Sequence, residues 1–298
     1  MIAETEVKAE VRAFYDSVGW KQVGEGLYQN ARYEDLRPVS REYVHRCHLR
    51  LQRYLPPGGR LLLDAGSGPI QYPEYLDYSR GYRRRTCLDL SRTALVEARA
   101  RIGGHGLFVV GDIAALPFAK ETFDGLVSLH TVHHLPPGEH RAAFGEFLRV
   151  ISPGARAVVV YSWGPRSILM RLMAPAIAAA FWLQRGYRRM RGRSAAQAPA
   201  NGLPAPAERT ATYTFKHDYR WVRRELRKLP GLDVRVWRSV STSFLRAFIH
   251  GRLRGEGLLR LIYACEERMP RLLGRIGQYP AILFHKPGGK TAAEGRAI

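Results

Sequence analysis

The sequence predicts an α/β protein: a Rossmann-like sheet of seven mostly parallel strands, the last antiparallel, with helices on both faces and two helical insertions. Three observations predict it. Apolar runs typical of buried strands alternate with helix signals from residue 60 onwards. A glycine-rich turn, Gly66-Ser67-Gly68, directly follows the first run. Aspartates end the first three runs, and parallel strands bring such ends to one edge of a sheet.

The elements follow from local patterns. Helix spacing predicts helices at 4–15 and 40–54, and a proline–glycine run at 56–59 ends the second. Ser91 is the predicted N-cap of a helix after the second strand, and further helices are predicted at 137–150 and 217–229. A turn at 152–154 is expected to open the fifth strand. The predicted strands are 60–65, 84–90, 106–112, 123–130, 155–162, 232–240 and 279–287.

The predicted domain organisation has one interrupted core. An N-terminal helical cap takes 1–55, and the core takes 56–162, 214–240 and 279–287. The first insertion, 163–213, combines an apolar and basic helix with a proline- and alanine-rich linker. The second insertion, 241–278, reads as helical and basic, and the tail 288–298 is predicted to be disordered.

The charge is strongly positive and unevenly distributed. The chain carries 47 Lys and Arg against 26 Asp and Glu, a net charge of +21, and residues 161–298 alone carry +18. Such an excess in one half indicates an anionic partner, a lipid surface or a nucleic acid. Arginine outnumbers lysine 40 to 7, which a GC-rich genome would also produce, although that bias does not explain the difference between the halves.

The setting predicted is the cytoplasm. The first residues, MIAETEVKAEVRAFY, lack the apolar segment of a secretion signal. The three cysteines, Cys47, Cys87 and Cys265, fit neither a disulfide framework nor a zinc site.

The chemistry of the glycine turn favours a cationic ligand. A dinucleotide, a sulfonium cofactor and a purely structural turn would each use such a turn. Asp64, Asp89 and Asp112 would all oppose a pyrophosphate. S-adenosylmethionine instead offers a sulfonium, an ammonium group, a ribose diol and an adenine amine. Ile70 stands where a dinucleotide-binding turn would have its third glycine.

Four segments carry a family resemblance: LDAGSGP, CLDLS, GDIAALPFAKETFDGLVSLHTVHHLP and LRVISPGARAVVVY. They resemble the class I S-adenosylmethionine-dependent methyltransferases, in particular the small-molecule subgroup that includes the ubiquinone and menaquinone biosynthesis C-methyltransferases. The resemblance covers 60–162 well and 215–287 loosely, and it does not extend to the insertions.

The resemblance implies roles for individual residues. Asp89 would hold the ribose diol, Leu90 would flank the adenine, Asp112 would accept from the adenine amine and Ile113 would back the ring. Leu129 and His130 would line the methyl-donor side. The methionine portion would be held by Asp64, Ala65, Gly66, Ser67 and Gly68.

The candidate catalytic residues are His130, His133, His134 and Tyr15. One of the histidines could act as a general base near the acceptor, and His134 could equally be structural in its HHLP turn. Three imidazoles in five residues do not converge easily on a metal, so no metal site is predicted. Tyr15 and Trp20 could fold over the cofactor or pack in the core.

The two insertions could form a lid over the active site, a lipid-binding surface or a nucleic-acid-binding surface. Within 167–183 the uncharged run extends only from 172 to 183, 12 residues, which is too short to span a bilayer. An apolar face beside the arginines of 184–193 nevertheless suits an interfacial helix. A lid and a lipid surface rank together ahead of a nucleic-acid surface.

The expected function is therefore methyl transfer from S-adenosylmethionine to a small, lipophilic acceptor, with peripheral membrane association. The alternatives are an RNA methyltransferase and a non-catalytic cofactor-binding or membrane-docking scaffold.

Overall fold

The fold is described from a computed structural model, which covers residues 4–24, 27–190, 212–251 and 254–288. The helices are α1 Glu4–Phe14, α2 Pro38–Leu49, α3 Arg92–Ile102, α4 His140–Val150, α5 Ile168–Met190, α6 Tyr219–Glu225, α7 Thr242–Phe248, α8 Gly255–Arg268 and α9 Pro270–Ile276. The strands are β1 Gln22–Gly24, β2 Leu27–Tyr28, β3 Gly59–Ala65, β4 Tyr82–Asp89, β5 Gly106–Val110, β6 Phe123–Leu129, β7 Ile151–Val160, β8 Asp233–Arg238 and β9 Tyr279–His285.

Seven strands form one sheet in the order β5-β4-β3-β6-β7-β9-β8. Neighbouring strands from β5 to β7 in this order pair in parallel, and β9 runs antiparallel to both β7 and β8. The predicted fold class is confirmed. The strand order reverses between β3 and β6, and open sheets of this kind bind ligands outside the carboxyl ends of the strands at such a reversal.

The helices cover the sheet because their apolar residues recur at helical spacing. In α4 the buried residues include Ala143, Phe144, Phe147 and Val150, which form one face against the sheet. α3 begins where predicted, since the Ser91 side chain accepts a hydrogen bond from the amide of Ala94 at 3.0 Å.

Several boundaries differ from the prediction. β7 begins at Ile151 rather than 155, because residues 152–154 form an irregularity within the strand instead of a turn before it; Gly154 has a φ of +82°. β5 ends at Val110, and the chain then turns so that the Asp112 side chain accepts from the amide of Ala114 at 2.8 Å. α1 ends at Phe14 and continues as a π-helical turn, Tyr15–Gly19.

The insertions are helical where the structure describes them. α5 lies in the first insertion and packs against α7, which belongs to the second together with α8 and α9. The proline- and alanine-rich linker, up to residue 211, and the tail from residue 289 lie outside the described residues. Among the helices that the structure describes, none combines the length and apolarity required to span a bilayer.

Candidate active site

The glycine turn after β3 has the backbone that a close ligand approach requires. Gly66 and Gly68 have φ values of +77° and +54°, and a Cβ atom on Gly66 would lie 2.2 Å from Cγ2 of Thr131. Ile70 also has a positive φ, +54°, although it is fully buried in the core. Its carbonyl accepts from the Arg101 guanidinium at 3.0 Å, which holds this strained residue in place.

A cavity of about 440 Å³ opens beside this turn at the carboxyl edge of the sheet, within the usual range for small-molecule sites. Most of the predicted site residues line it. They are Tyr15, Gly66, Ser67, Gly68, Asp89, Leu90, Ile113, Leu129, His130, His133 and His134. Asp64, Ala65 and Asp112 do not line it.

Asp64 has a different position from the predicted one. The Arg85 guanidinium, which is fully buried, donates to Asp64 Oδ2 from Nε at 3.1 Å and makes a second contact through Nη2. The Asp64 side chain is only 2% exposed, so its charge is neutralised within the sheet. Sequence reasoning missed Arg85, because an arginine in a run of three gives no local sign that it is the buried one.

Asp89 is the last residue of β4 and lines the cavity. Its Oδ2 accepts from the amide of Gly68 and its Oδ1 from the amide of Ser91, both at 2.9 Å. Burial raises the pKa of Asp89 to about 6 despite these hydrogen bonds, and the nearby carboxylates Asp64 and Asp16 raise it further. Each oxygen retains a lone pair for a further donor.

Asp112 connects the N-terminal helix α1 to the carboxyl edge of the sheet through an ion pair. Lys8 on α1 contacts both Asp112 Oδ2 and Glu139 Oε2 at 2.5 Å. The Asp112 carboxylate is therefore already paired, whereas its neighbours Gly111 and Ile113 line the cavity. These ion pairs hold α1 and the residues that follow it across the mouth of the cavity.

Tyr15 and His134 form a hydrogen-bonded pair in the cavity. The Tyr15 hydroxyl lies 2.9 Å from His134 Nε2, and His134 Nδ1 lies 2.9 Å from the carbonyl of Tyr213. Because a carbonyl only accepts, Nδ1 carries the proton, and Tyr15 donates to Nε2. Burial lowers the pKa of His134 to about 4 and raises that of Tyr15, so both are neutral at pH 7. The Tyr15 ring stacks on Trp20 at a centroid distance of 4.9 Å.

The other two histidines are neutral as well. Burial is the main cause that lowers the pKa of His130 to about 3 and that of His133 well below its ordinary value. His130 adopts a φ of +56° and its ring meets the edge of Trp237 at 4.8 Å. Within the described ranges, no three His, Cys, Asp or Glu side chains are grouped so that they could hold a metal ion.

The far end of the cavity contains residues that sequence reasoning missed. Glu34 and Arg238 line this end and form a buried ion pair. Burial by itself would raise the pKa of Glu34, but the Arg238 charge and then His48 lower it to about 2. The remaining lining residues here come from separate parts of the chain, so no local pattern marks them. They include Tyr33, Tyr72, Tyr75, Lys216, Gln278 and Tyr279.

The described helices of the insertions do not form the predicted lid. No described residue of α5, α7, α8 or α9 lines the cavity. Among the described residues, α1, the turn that follows it, residues 30–34 and the segment from Thr212 to Lys216 contribute to the lining outside the sheet.

α5 instead presents an apolar stripe to solvent. Leu172, Leu183 and Met190 are 68%, 61% and 80% exposed. With exposed Ala176 and Ala179 between them, the spacing is that of one helix face. Trp182 is 73% exposed beside the stripe, and the exposed arginines of α5 are Arg171, Arg185 and Arg189. Arg191 and Arg193 lie outside the described residues, and the Arg188 side chain is not described.

Comparison with known proteins identifies the region that carries the site. Residues 63–159 match a family model described as a methyltransferase domain. The chain is 31% identical over 139 residues to a ubiquinone/menaquinone biosynthesis C-methyltransferase of Roseobacter denitrificans and 32% identical over 142 residues to that of Paracoccus denitrificans. Each match covers 44% of this chain and 54% of the relative, so the chain spans about half the length of these curated relatives.

Solved structures share the fold over nearly the whole chain. A geranyl diphosphate C-methyltransferase from Streptomyces coelicolor matches with a TM-score of 0.51 and 15% identity over 94% of this chain and 98% of the other. A Haloferax volcanii complex of the Trm112 methyltransferase activator with a methyltransferase matches with the same TM-score and identity over 95% and 98%. At this identity the likeness extends to the fold alone.

Proposed function

Because residues 63–159 match a methyltransferase domain, we propose that this protein is a class I S-adenosylmethionine-dependent methyltransferase and transfers a methyl group from S-adenosylmethionine to a small, lipophilic acceptor. The main support for this proposal is that three features lie in the same cavity. They are the positive-φ glycine turn, the carboxylate of Asp89 and the Tyr15–His134 pair.

The residues present suit the cofactor. The turn at Gly66-Ser67-Gly68 would receive the methionine portion, and Asp89 would accept from the ribose hydroxyls. Leu90 and Ile113 would flank the adenine. Asp112 does not line the cavity and both of its oxygens are engaged, Oδ1 by the amide of Ala114 and Oδ2 by Lys8, so it would reach the adenine only if one of these contacts rearranged. The bound cofactor supplies an electrophilic methyl group on a sulfonium.

The chain's own contribution is positioning and proton transfer. The aromatic cover of Tyr15 and Trp20 excludes water from the cavity. The Tyr15 oxygen is available to accept a proton from a phenol or carbon-acid acceptor while its own proton passes to His134 Nε2. His134 can accept it because the tautomer fixed by Tyr213 leaves Nε2 without hydrogen.

Calorimetry and turnover test this proposal. The purified protein is expected to bind S-adenosylmethionine and S-adenosylhomocysteine, and to methylate a component of a lipid or quinone extract so that its mass rises by one CH₂. Tyr15→Phe is expected to lower kcat by about 10²- to 10⁴-fold, the usual contribution of a general acid or base, with little change in cofactor affinity. Phe14→Leu, next in sequence and on the cavity wall, is the matched apolar control.

Different failures have different meanings. Absence of cofactor binding would refute the proposal as a whole. Binding without turnover on lipid, quinone or RNA extracts would favour a non-catalytic scaffold. Turnover on RNA alone, with RNA binding that weakens steeply as salt rises, would favour the RNA methyltransferase. An unchanged kcat in Tyr15→Phe would remove only the proton-transfer role.

We also propose that α5 docks on an anionic membrane surface. Its apolar stripe faces solvent although soluble helices normally turn such a face to the core, and exposed arginines accompany it. Each arginine near an anionic surface contributes about 1 kcal/mol, so Arg171, Arg185 and Arg189 together with the apolar stripe would give reversible binding. A lipophilic acceptor could then be taken from the bilayer.

Sedimentation with vesicles tests the membrane proposal. The protein is expected to sediment with vesicles rich in phosphatidylglycerol and to remain in the supernatant with neutral ones. Replacing Leu172, Trp182 and Leu183 by Ser should release it, whereas Val96→Ser, a 61% exposed apolar residue on α3, should not. Cofactor affinity should be unchanged, because α5 does not line the cavity. If the unaltered protein stays in the supernatant with anionic vesicles at low salt, the membrane proposal is wrong.

A further inference from the structure

Lys216 is unusual among the cations that line the cavity. Lys8 pairs with Asp112 and Glu139, Arg12 lies 3.6 Å from Asp16, and Arg238 pairs with Glu34. Lys216, by contrast, makes no hydrogen bond or ion pair with any residue that the structure describes. Burial alone lowers its pKa, and no carboxylate raises it.

The backbone positions the Lys216 ammonium at the carboxyl end of β7. Gly164 has a φ of +55°, and the Lys216 side chain lies across it. A Cβ atom there would be 2.6 Å from Lys216 Cδ and 3.6 Å from Nζ. Residues 215 and 217 hold the segment in place, since the amide of Phe215 donates to the carbonyl of His133 and that of His217 to the Tyr161 hydroxyl.

The surroundings mark this as the acceptor side of the cavity. Asp89 and the glycine turn occupy the β3 and β4 side, whereas Lys216 and Ser162 lie beyond the carboxyl end of β7 and Gln278 lies just before β9 begins. After burial, the Lys216 charge also contributes to the low pKa values of His133 and His134, so the ammonium group lies close enough to affect both histidines. Gln278 is 8% exposed, and its Oε1 is buried and receives no hydrogen bond from a described residue.

We propose that Lys216 binds an anionic group, a carboxylate or a phosphate, on the methyl acceptor, and that Gln278 accepts a hydrogen bond from a hydroxyl or amide of the same molecule. The inference rests on the proposed function, because it assigns the acceptor end of that cavity. A half-buried cation without a partner is partly desolvated, and an anionic ligand would compensate its charge. The tyrosines Tyr72, Tyr75 and Tyr279 would contact the apolar body, so the acceptor is an amphiphile with an acidic group.

Binding of simple amphiphiles to the protein saturated with S-adenosylhomocysteine tests this inference. Octanoate, octyl phosphate and octanamide share an apolar chain, and inorganic phosphate tests the anion alone. We expect calorimetry to show octanoate or octyl phosphate binding about 10- to 100-fold more tightly than octanamide, as for a hydrogen bond to a charged group. The stronger of the two anions distinguishes a carboxylate acceptor from a phosphate acceptor, and binding of inorganic phosphate alone would show that the apolar body is not needed.

Variants connect the preference to Lys216. Lys216→Gln should abolish the difference between the anion and octanamide, and Lys216→Arg should retain most of it. Lys228→Gln removes an exposed lysine outside the cavity and should change nothing. Circular dichroism of Lys216→Gln checks that the fold survives, and Lys216→Arg keeps the test usable if it does not.

The outcomes separate the inference from the proposed function. If S-adenosylhomocysteine does not bind, the proposed function fails. If it binds but octanoate, octyl phosphate and octanamide bind equally, the inference alone is wrong. It is also overturned if Lys216→Gln weakens S-adenosylhomocysteine itself, because Lys216 would then pair with the cofactor carboxylate.

Discussion

Asp89 makes cofactor affinity depend on pH in a predictable direction. Its carboxylate lines the cavity, accepts two backbone hydrogen bonds and has a pKa raised by burial to about 6. A ribose diol would donate to the charged form, so the complex favours ionised Asp89. Affinity should therefore be full above pH 6 and be lost as the pH falls through 6.

The size of the effect follows from the pKa. At pH 7 about nine carboxyls in ten are ionised and at pH 5 about one in eleven, so affinity should fall about tenfold, or about 1.4 kcal/mol. The cavity histidines do not obscure this change. Burial keeps His130 and His134 neutral above pH 5, with pKa values of about 3 and about 4.

Calorimetry with adenosine measures the effect, because adenosine carries the ribose diol and has no group that titrates between pH 5 and 8. Asp89→Asn is the control: it should bind about 10- to 100-fold more weakly at pH 7 and show no pH dependence between 5 and 7. Equal affinity of the unaltered protein at pH 5 and pH 7 would refute the reasoning. An Asp89→Asn variant with unchanged affinity would show that the ribose lies elsewhere.

Three further perturbations test contacts in and around the site. Arg85→Ala leaves Asp64 as a buried charge without a partner and should lower the free energy of unfolding by about 3–5 kcal/mol. The double variant Arg85→Met, Asp64→Leu should restore much of that stability. An unaltered thermal midpoint for Arg85→Ala would contradict this prediction. Asp112→Asn should weaken adenosine binding less than Asp112→Ala, since it keeps an acceptor oxygen, and equal, negligible effects in calorimetry would place the adenine elsewhere. Gly66→Ala should lower the urea midpoint, because its φ is +77° and the new Cβ atom would meet Thr131; a midpoint matching the unaltered protein would mean that the turn is more adaptable than its geometry indicates.

The sites at which prediction and structure differ share a physical cause. Asp64 and Asp89 both follow apolar runs and are equivalent in the sequence, yet one lies in an ion pair within the sheet and the other lines the cavity. The difference is set by Arg85 on the neighbouring strand. A buried carboxylate pairs with a nearby cation that is itself buried, because neither charge is then exposed to water. The packing of both strands decides which cation that is.

The sequence by itself determined the parts of this protein that depend on neighbours along the chain. Strand periodicity, the Gly66-Ser67-Gly68 turn, the Ser91 cap and the position of Asp89 at a strand end were all predictable, because each reflects turn chemistry or side-chain alternation within a few residues.

Only the tertiary structure decided which distant groups meet. Tyr15 and His134 are separated by 119 positions, and Lys8 and Asp112 by 104, so no local pattern relates them. The same holds for Lys216, whose lack of a partner among the described residues is visible only once the lining of the cavity is assembled. Burial then sets the charge states, because the desolvation that shifts the pKa values of Asp89 and His134 arises only when the chain is folded.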